Sequence, residues 1–174
     1  YLVHAINKDA KIGIVQPKIL NFYEKKQFDY AGASGGFIDI FCFPYTRGRI
    51  FDTIERDVGQ YDQSIDIFWA SGCSFIIRKD LFFNLNMFDK KLFAHMEEID
   101  LCWKSKITGF KNVIEPKSIV YHKGSITLEQ GSYKKVYLNH RNSLILFLTN
   151  HNLIITLMLL IPRILLDILS MIRY

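Results

Sequence analysis

The stretch Phe93-Ala94-His95-Met96-Glu97-Glu98-Ile99-Asp100-Leu101-Cys102-Trp103 decides how this chain is read. Three carboxylates, Glu97, Glu98 and Asp100, fall within four positions. Around and behind them Ile99, Cys102, Trp103, Ile107 and Phe110 recur at helical spacing. The pattern predicts an amphipathic helix over 97–108 with an acidic first turn and Gly109 as its C-cap. On such a helix Glu97 and Asp100 share a face, whereas Glu98 points about 100° away from Glu97. One carboxylate can then address a substrate while another orients a neighbour. The same residues also suit a plain helix N-terminus, which favours negative charge.

Downstream, Val113-Ile114 and Ile119-Val120-Tyr121 predict two short strands separated by Pro116, the second leading into His122-Lys123-Gly124. A neutral imidazole at a strand end near carboxylates suits a metal, although a lone histidine is more often a surface or core residue. His95 flanks the acidic cluster and is the weaker candidate. Upstream, Lys11–Leu20 predicts a buried strand stopped at Pro17, after a helix end in residues 1–11. Residues 28–62, rich in Gly and aromatics, predict a long irregular binding segment or lid. Within it Thr46-Arg47-Gly48-Arg49 offers two guanidiniums suited to phosphate or carboxylate, or else a solvated loop. Ile65–Ala70 and Cys73–Arg78 predict strands broken by Ser71-Gly72, and a helix begins near Lys79-Asp80. Trp69 reads as core or as the wall of a sugar site.

The chain has 174 residues, 49% of them hydrophobic and 14% aromatic, which suits one domain with a real core and excludes disorder. A net charge of +5, scattered along the chain, argues against nucleic acid and fits a phosphate or a lipid headgroup. Cys42, Cys73 and Cys102, without CxxC spacing, suggest neither a disulfide framework nor structural zinc, and point to a reducing compartment.

Residues 133–150 predict a helix containing Asn139-His140-Arg141-Asn142, whose Arg141 could face a pyrophosphate or lipid headgroup or be an ordinary surface arginine. From Leu153 to Ile172 the sequence is nearly all apolar and approaches the ~20 residues that span a bilayer. Pro162, Arg163 and Asp167 interrupt it, and each mid-bilayer charge costs about 2.5–3.5 kcal/mol. The expectation is an interfacial helix pair broken at Pro162, the alternative a helix buried in a larger core.

Taken in order, several segments resemble the inverting family 2 glycosyltransferases with the GT-A fold, in particular the bacterial rhamnosyltransferase-like group that builds cell-surface polysaccharide. They are Gly13–Ile19, Asp29–Asp39, Arg47–Thr53, Phe68–Gly72, Phe93–Trp103, Val120–Gly124 and Tyr137–Asn142. The resemblance implies an α/β fold over residues 1–150, the C-terminal, acceptor-side part of a GT-A domain, with residues 151–174 a membrane-interfacial helical tail. It implies Glu98 as the general base, with Glu97 and Asp100 in support and His122 in a divalent metal site (Mn or Mg). Trp69, Ser71, Gly72, Arg47 and Arg49 would form the acceptor side, and Arg141 a phosphate or headgroup contact. The implied partners are a nucleotide-diphosphate sugar donor, a glycan or lipid-linked acceptor and the membrane surface at the cytoplasmic face of the inner membrane.

The family also carries a nucleotide-binding half ending in Asp-x-Asp, and no Asp-x-Asp in this chain occupies that place. The expectation is that the sequence begins inside a larger protein and that residues 1–174 alone transfer no sugar. The rival from another class is a non-catalytic, membrane-associated module that binds a glycan or a partner. A metal-dependent hydrolase ranks lower for want of a dense ligand motif such as HExxH.

Overall fold

The computed structural model describes residues 1–124 and 133–172, with the side chains of 171 and 172 left out. In chain order the elements are α1 (Leu2–Lys8), β1 (Ile12–Asn21), β2 (Gly36–Ile38), β3 (Pro44–Thr46), β4 (Arg49–Ile50), β5 (Thr53–Ile54), β6 (Asp66–Ile67), β7 (Ile76–Ile77), α2 (Lys79–Asn84), α3 (Glu97–Ile107), β8 (Lys111–His122), α4 (Tyr133–Asn150) and α5 (Leu153–Ile172). The architecture is mixed α/β. A four-stranded mixed sheet in the order β6-β8-β1-β7 carries the long strands, and the order β2-β3-β4-β5 forms a second, smaller sheet.

The central pair is β1 and β8, which run parallel, while β6 and β7 flank them antiparallel. Residues 13–20 of β1 are all buried, as expected of a strand covered on both faces. Neither proline stops its strand. β1 continues through Pro17 to Asn21, and the two expected strands around Pro116 are one strand, Lys111–His122. The reason lies in the register: Pro17 opposes Glu115 and Lys18 opposes Ile119, so residues 116–118 bulge out of the ladder. Both prolines, which lack an N–H to donate, fall at one irregularity where the ladder is already interrupted.

The strands expected over Ile65–Ala70 and Cys73–Arg78 shrink to Asp66–Ile67 and Ile76–Ile77, with an isolated bridge from Trp69 to Gly36. The segment 28–62 is less irregular than expected, because it contains the whole second sheet. Buried Lys18 of β1 pins it, pairing with Asp57 at 2.8 Å and with Asp62. Ile14, Ile67, Trp69, Ile99, Cys102, Ile114 and Leu146 pack together as the core, which joins the sheet to α3 and α4.

The helix expected over 97–108 runs from Glu97 to Ile107. It ends in a Schellman turn: Phe110 N donates to Ser105 O, Gly109 N donates to Lys106 O, and Gly109 has φ +90°. Its start is held less simply. Phe93, His95 and Met96 all have positive φ, between 62° and 72°. Such conformations are costly for non-glycine residues and persist where surrounding contacts enforce them. Here the enforcing group is Asn142, buried on α4, whose Nδ2 shares its two N–H groups among the carbonyls of Leu92, Ala94 and His95, at 2.8, 2.9 and 2.7 Å.

The apolar tail is one helix, not a pair broken at Pro162. Asn152 caps its start, Oδ1 accepting from Ile155 N at 2.9 Å. Pro162 lies on the exposed side, while the inner side carries buried Thr156 before the proline and buried Arg163, which anchors the helix, after it. Arg163 is 0% exposed. Its guanidinium donates to Asp167 Oδ2 at 2.9 Å, to Ser143 Oγ at 3.0 Å and to Phe41 O, and lies 3.9 Å from the Phe43 ring centroid.

Candidate functional site

A cavity of about 750 Å³ opens where the ends of β1 and β8, the start of α3 and the inner face of α4 converge. That volume lies in the usual range for small-molecule sites. Asn21 and His122 come from the strand ends, Asp29 and Tyr30 from the loop after β1, Arg49 from β4, Glu98 from α3, and Lys135, Asn139, His140 and Ser143 from α4.

Of the three clustered carboxylates, the fold brings Glu98 alone to the cavity wall. Its Oε2 is buried with no hydrogen-bond partner among the described residues. Burial, and then the neighbouring Glu97, push its pKa from 4.5 up to about 7, against the opposing pull of the Glu98, Gly72 and Ile99 backbone N–H groups. Glu97 lies off the cavity lining, its pKa raised by burial, with Oε2 likewise buried and unpartnered among the described residues. Asp100 is buried behind the helix and pairs with Lys104 one turn on, at 2.5 Å. The 3.6-residue helical repeat explains the division: successive positions turn about 100° apart, so Glu98 meets the cavity wall and its neighbours do not.

Ser71 and Gly72 serve the site from behind. Ser71 is 3% exposed; its N–H donates to Gln16 Oε1 at 2.7 Å and its hydroxyl donates to Ala31 O. Gly72 faces Glu98: a Cβ added there would come 3.7 Å from Glu98 Cδ. Trp69 belongs to the core, its indole N–H donating to Phe37 O at 2.8 Å, while one edge lines the cavity. The two guanidiniums separate. Arg47 turns inward, donating to Ser34 O at 2.9 Å and stacking on Tyr61, and burial lowers its pKa. Arg49 stays on the cavity wall, 3.9 Å from the Tyr30 ring centroid. Arg141 does not join them; it donates to Lys91 O at 2.8 Å, away from the cavity lining.

His122 meets a partner that the spacing does not reveal. Its Nδ1 lies 3.0 Å from Asp29 Oδ1, which also accepts from Ala31 N at 2.8 Å. Asp29 is 2% exposed and 93 residues distant in sequence. A buried carboxylate against one imidazole nitrogen fixes the ring's orientation, as it does behind metal-bound histidines. Among the described residues no group of three His, Cys, Asp or Glu side chains could hold a metal ion. The donor set among the described residues therefore fits one ligand and its orienting carboxylate, not a complete coordination sphere.

Lys135 carried no signal in the sequence, and Asn139, His140 and Asn142 stood in a motif without an assigned role. Lys135 lines the cavity, and its pKa is lowered by burial and by the Arg49 charge. Asn142 had a usable signal, because it sits with Leu138, Leu146 and Phe147 on the buried face of α4. A polar side chain on such a face must find partners.

Compared with known proteins, the chain matches no protein-family model and no curated protein.

Proposed function

We propose that residues 1–174 form the acceptor-side part of a GT-A-type inverting glycosyltransferase, with Glu98 as its general base. The observation that carries the reading is Glu98 itself, a carboxylate on the wall of a large cavity, with no partner at Oε2 among the described residues and a pKa pushed up to about 7 by burial. A general base works best with a pKa near the operating pH. In the proposed step the Glu98 carboxylate takes the proton of an acceptor hydroxyl. The freed oxygen forms the new bond to the anomeric carbon from the face opposite the leaving group, and the nucleoside diphosphate departs with the bonding electrons.

Arg49, Lys123 and Lys135 on the same cavity support an anionic ligand. The divalent cation implied by the resemblance would supply stabilisation of the departing diphosphate. His122, oriented by Asp29, is the residue suited to hold it, and the remaining ligands would come from the diphosphate or from groups outside this set. The acceptor is a glycan or lipid-linked glycan, for which the apolar α5 beside the cavity suits a membrane surface. The cytoplasmic face of the inner membrane, and rhamnose as the sugar, remain part of this proposal.

The test is Glu98→Gln in a protein that joins these residues to a donor-binding half. Transfer falls about 10²–10⁴-fold while donor affinity is unchanged. A near-wild-type rate would move the base elsewhere, Glu97 being next. Glycan binding without any turnover in the joined wild-type protein would favour the non-catalytic module.

A further inference from the structure

We propose that α5 docks on lipid in the plane of one bilayer leaflet and does not cross the membrane. The inference rests on the membrane-surface part of the reading above and is independent of sugar transfer.

Leu153–Ser170 is long and apolar enough to cross a bilayer, with mean hydropathy 2.2. Its polar residues, however, are not scattered. Thr156, Arg163, Asp167 and Ser170 follow one another at intervals of seven, four and three, which places them on a single narrow stripe. That stripe faces the protein. Asp167 Oδ1 lies 3.0 Å from His140 Nδ1, Ser170 Oγ lies 3.3 Å from His140 Nε2, and Arg163 reaches Ser143 and Phe41. The pairs 140–167 and 143–163, joined through the turn at 151–152, make α4 and α5 an antiparallel hairpin held together in the half remote from the turn. At the turn His151 Nε2 lies 3.0 Å from Ile40 O.

A helix bonded to its neighbours through its second half, from Arg163 to Ser170, cannot stand across a bilayer alone. It would draw α4, with Lys134, Lys135, Asn139 and Arg141, into hydrocarbon, or leave Arg163 and Asp167 there without their partners, and both are costly. Lying flat removes the conflict. The outward side carries Leu153, Ile154, Leu157, Met158, Ile161 and Leu165, each 55–73% exposed. At 100° per residue the exposed positions cover an arc of roughly 220° with no charged residue on it. A single partner helix covers only a narrow seam, so a second copy would leave much of this arc wet. A lipid phase covers all of it. The docking also bears on the cavity, because Phe43, His140 and Ser143 line it and touch the inner stripe of α5. The cavity is thereby carried at a fixed height beside the lipid.

The experiment sediments the full chain with sucrose-loaded phosphatidylcholine–phosphatidylglycerol vesicles. The wild type pellets with them, and Leu157→Glu or Ile161→Glu lowers the bound fraction about tenfold or more. Val58→Glu, at an apolar residue 82% exposed elsewhere, leaves binding unchanged. Orientation is then read from environment-sensitive labels at Leu153→Cys and Ile168→Cys in a Cys73→Ser background, with quenchers at known acyl depth. Equal depth at the two sites supports the in-plane helix. A depth difference approaching the ~22 Å that separates them along the axis means that the helix spans, which overturns the inference and leaves the membrane reading standing. Failure of the wild type to bind vesicles overturns both, and self-association abolished by Leu157→Glu would then name a second copy as the occupant.

Discussion

The first turn of α3 and the middle of α5 both set charge among apolar residues, and they treat it in opposite ways. In α5 the Arg163 guanidinium is fully buried and bonded to Asp167, Ser143 and Phe41 O. Asp167 in turn holds His140. In α3 Glu97 and Glu98 each keep a buried oxygen with no partner among the described residues, and burial lifts both pKa values. Charge that is satisfied on all sides acts as a strut. Charge that is desolvated and left open toward a cavity is set up to exchange a proton.

The largest effect expected from breaking this contrast is at Arg163. Arg163→Leu leaves Asp167 with His140 alone and should cost about 3–5 kcal/mol by denaturant titration, the penalty for breaking one side of a buried pair. The double variant Arg163→Leu/Asp167→Leu should regain most of it. No recovery would mean that the pair does more than hold two elements together. Next is Asn142→Leu, which removes the bonds that enforce the left-handed turn before α3. A loss of about 2–3 kcal/mol is expected, together with return of the Glu98 pKa toward the ordinary range. Unchanged stability would mean that the turn is held by other contacts.

An effect of opposite sign is expected at Glu98. Its folded pKa of about 7 lies above the ordinary 4.5. Between those values the unfolded chain ionises while the folded chain holds its proton, so native stability falls as pH rises from about 4.5 to 7 and then levels. Glu98→Gln should therefore match the wild type below pH 4.5 and exceed it by about 3 kcal/mol at pH 8. A gain at the expense of activity would mark a site kept for chemistry over stability.

How far the sequence discloses this molecule differs from element to element. α3, with its acidic start and Gly109 stop, was legible because helical period and cap chemistry are local. The prolines misled for a related reason: Pro17 and Pro116 each read as a stop when seen alone. Only the register of β1 against β8 shows that they share one bulge. Pro162 misled likewise, since the anchors that carry α5 past it lie on α4 and in residues 41–43. In the candidate site the acidic cluster was legible as a group, whereas Glu98 as its base is what the family resemblance implies. Asp29 behind His122, and Asn142 beneath the 93–96 turn, depend on contacts 93 and about 47–50 residues apart, which no spacing rule reaches.

The most direct test of the central claim is the titration of the Glu98 carboxyl itself. In protein labelled with ¹³C at the glutamate carboxyls, the Glu98 resonance is assigned by its disappearance in Glu98→Gln and followed from pH 3 to 9. A midpoint near 7 is expected, with the shift reduced in Asn142→Leu. A midpoint near the ordinary 4.5 would mean that the carboxylate is well solvated, and the assignment of Glu98 as a poised base would be wrong.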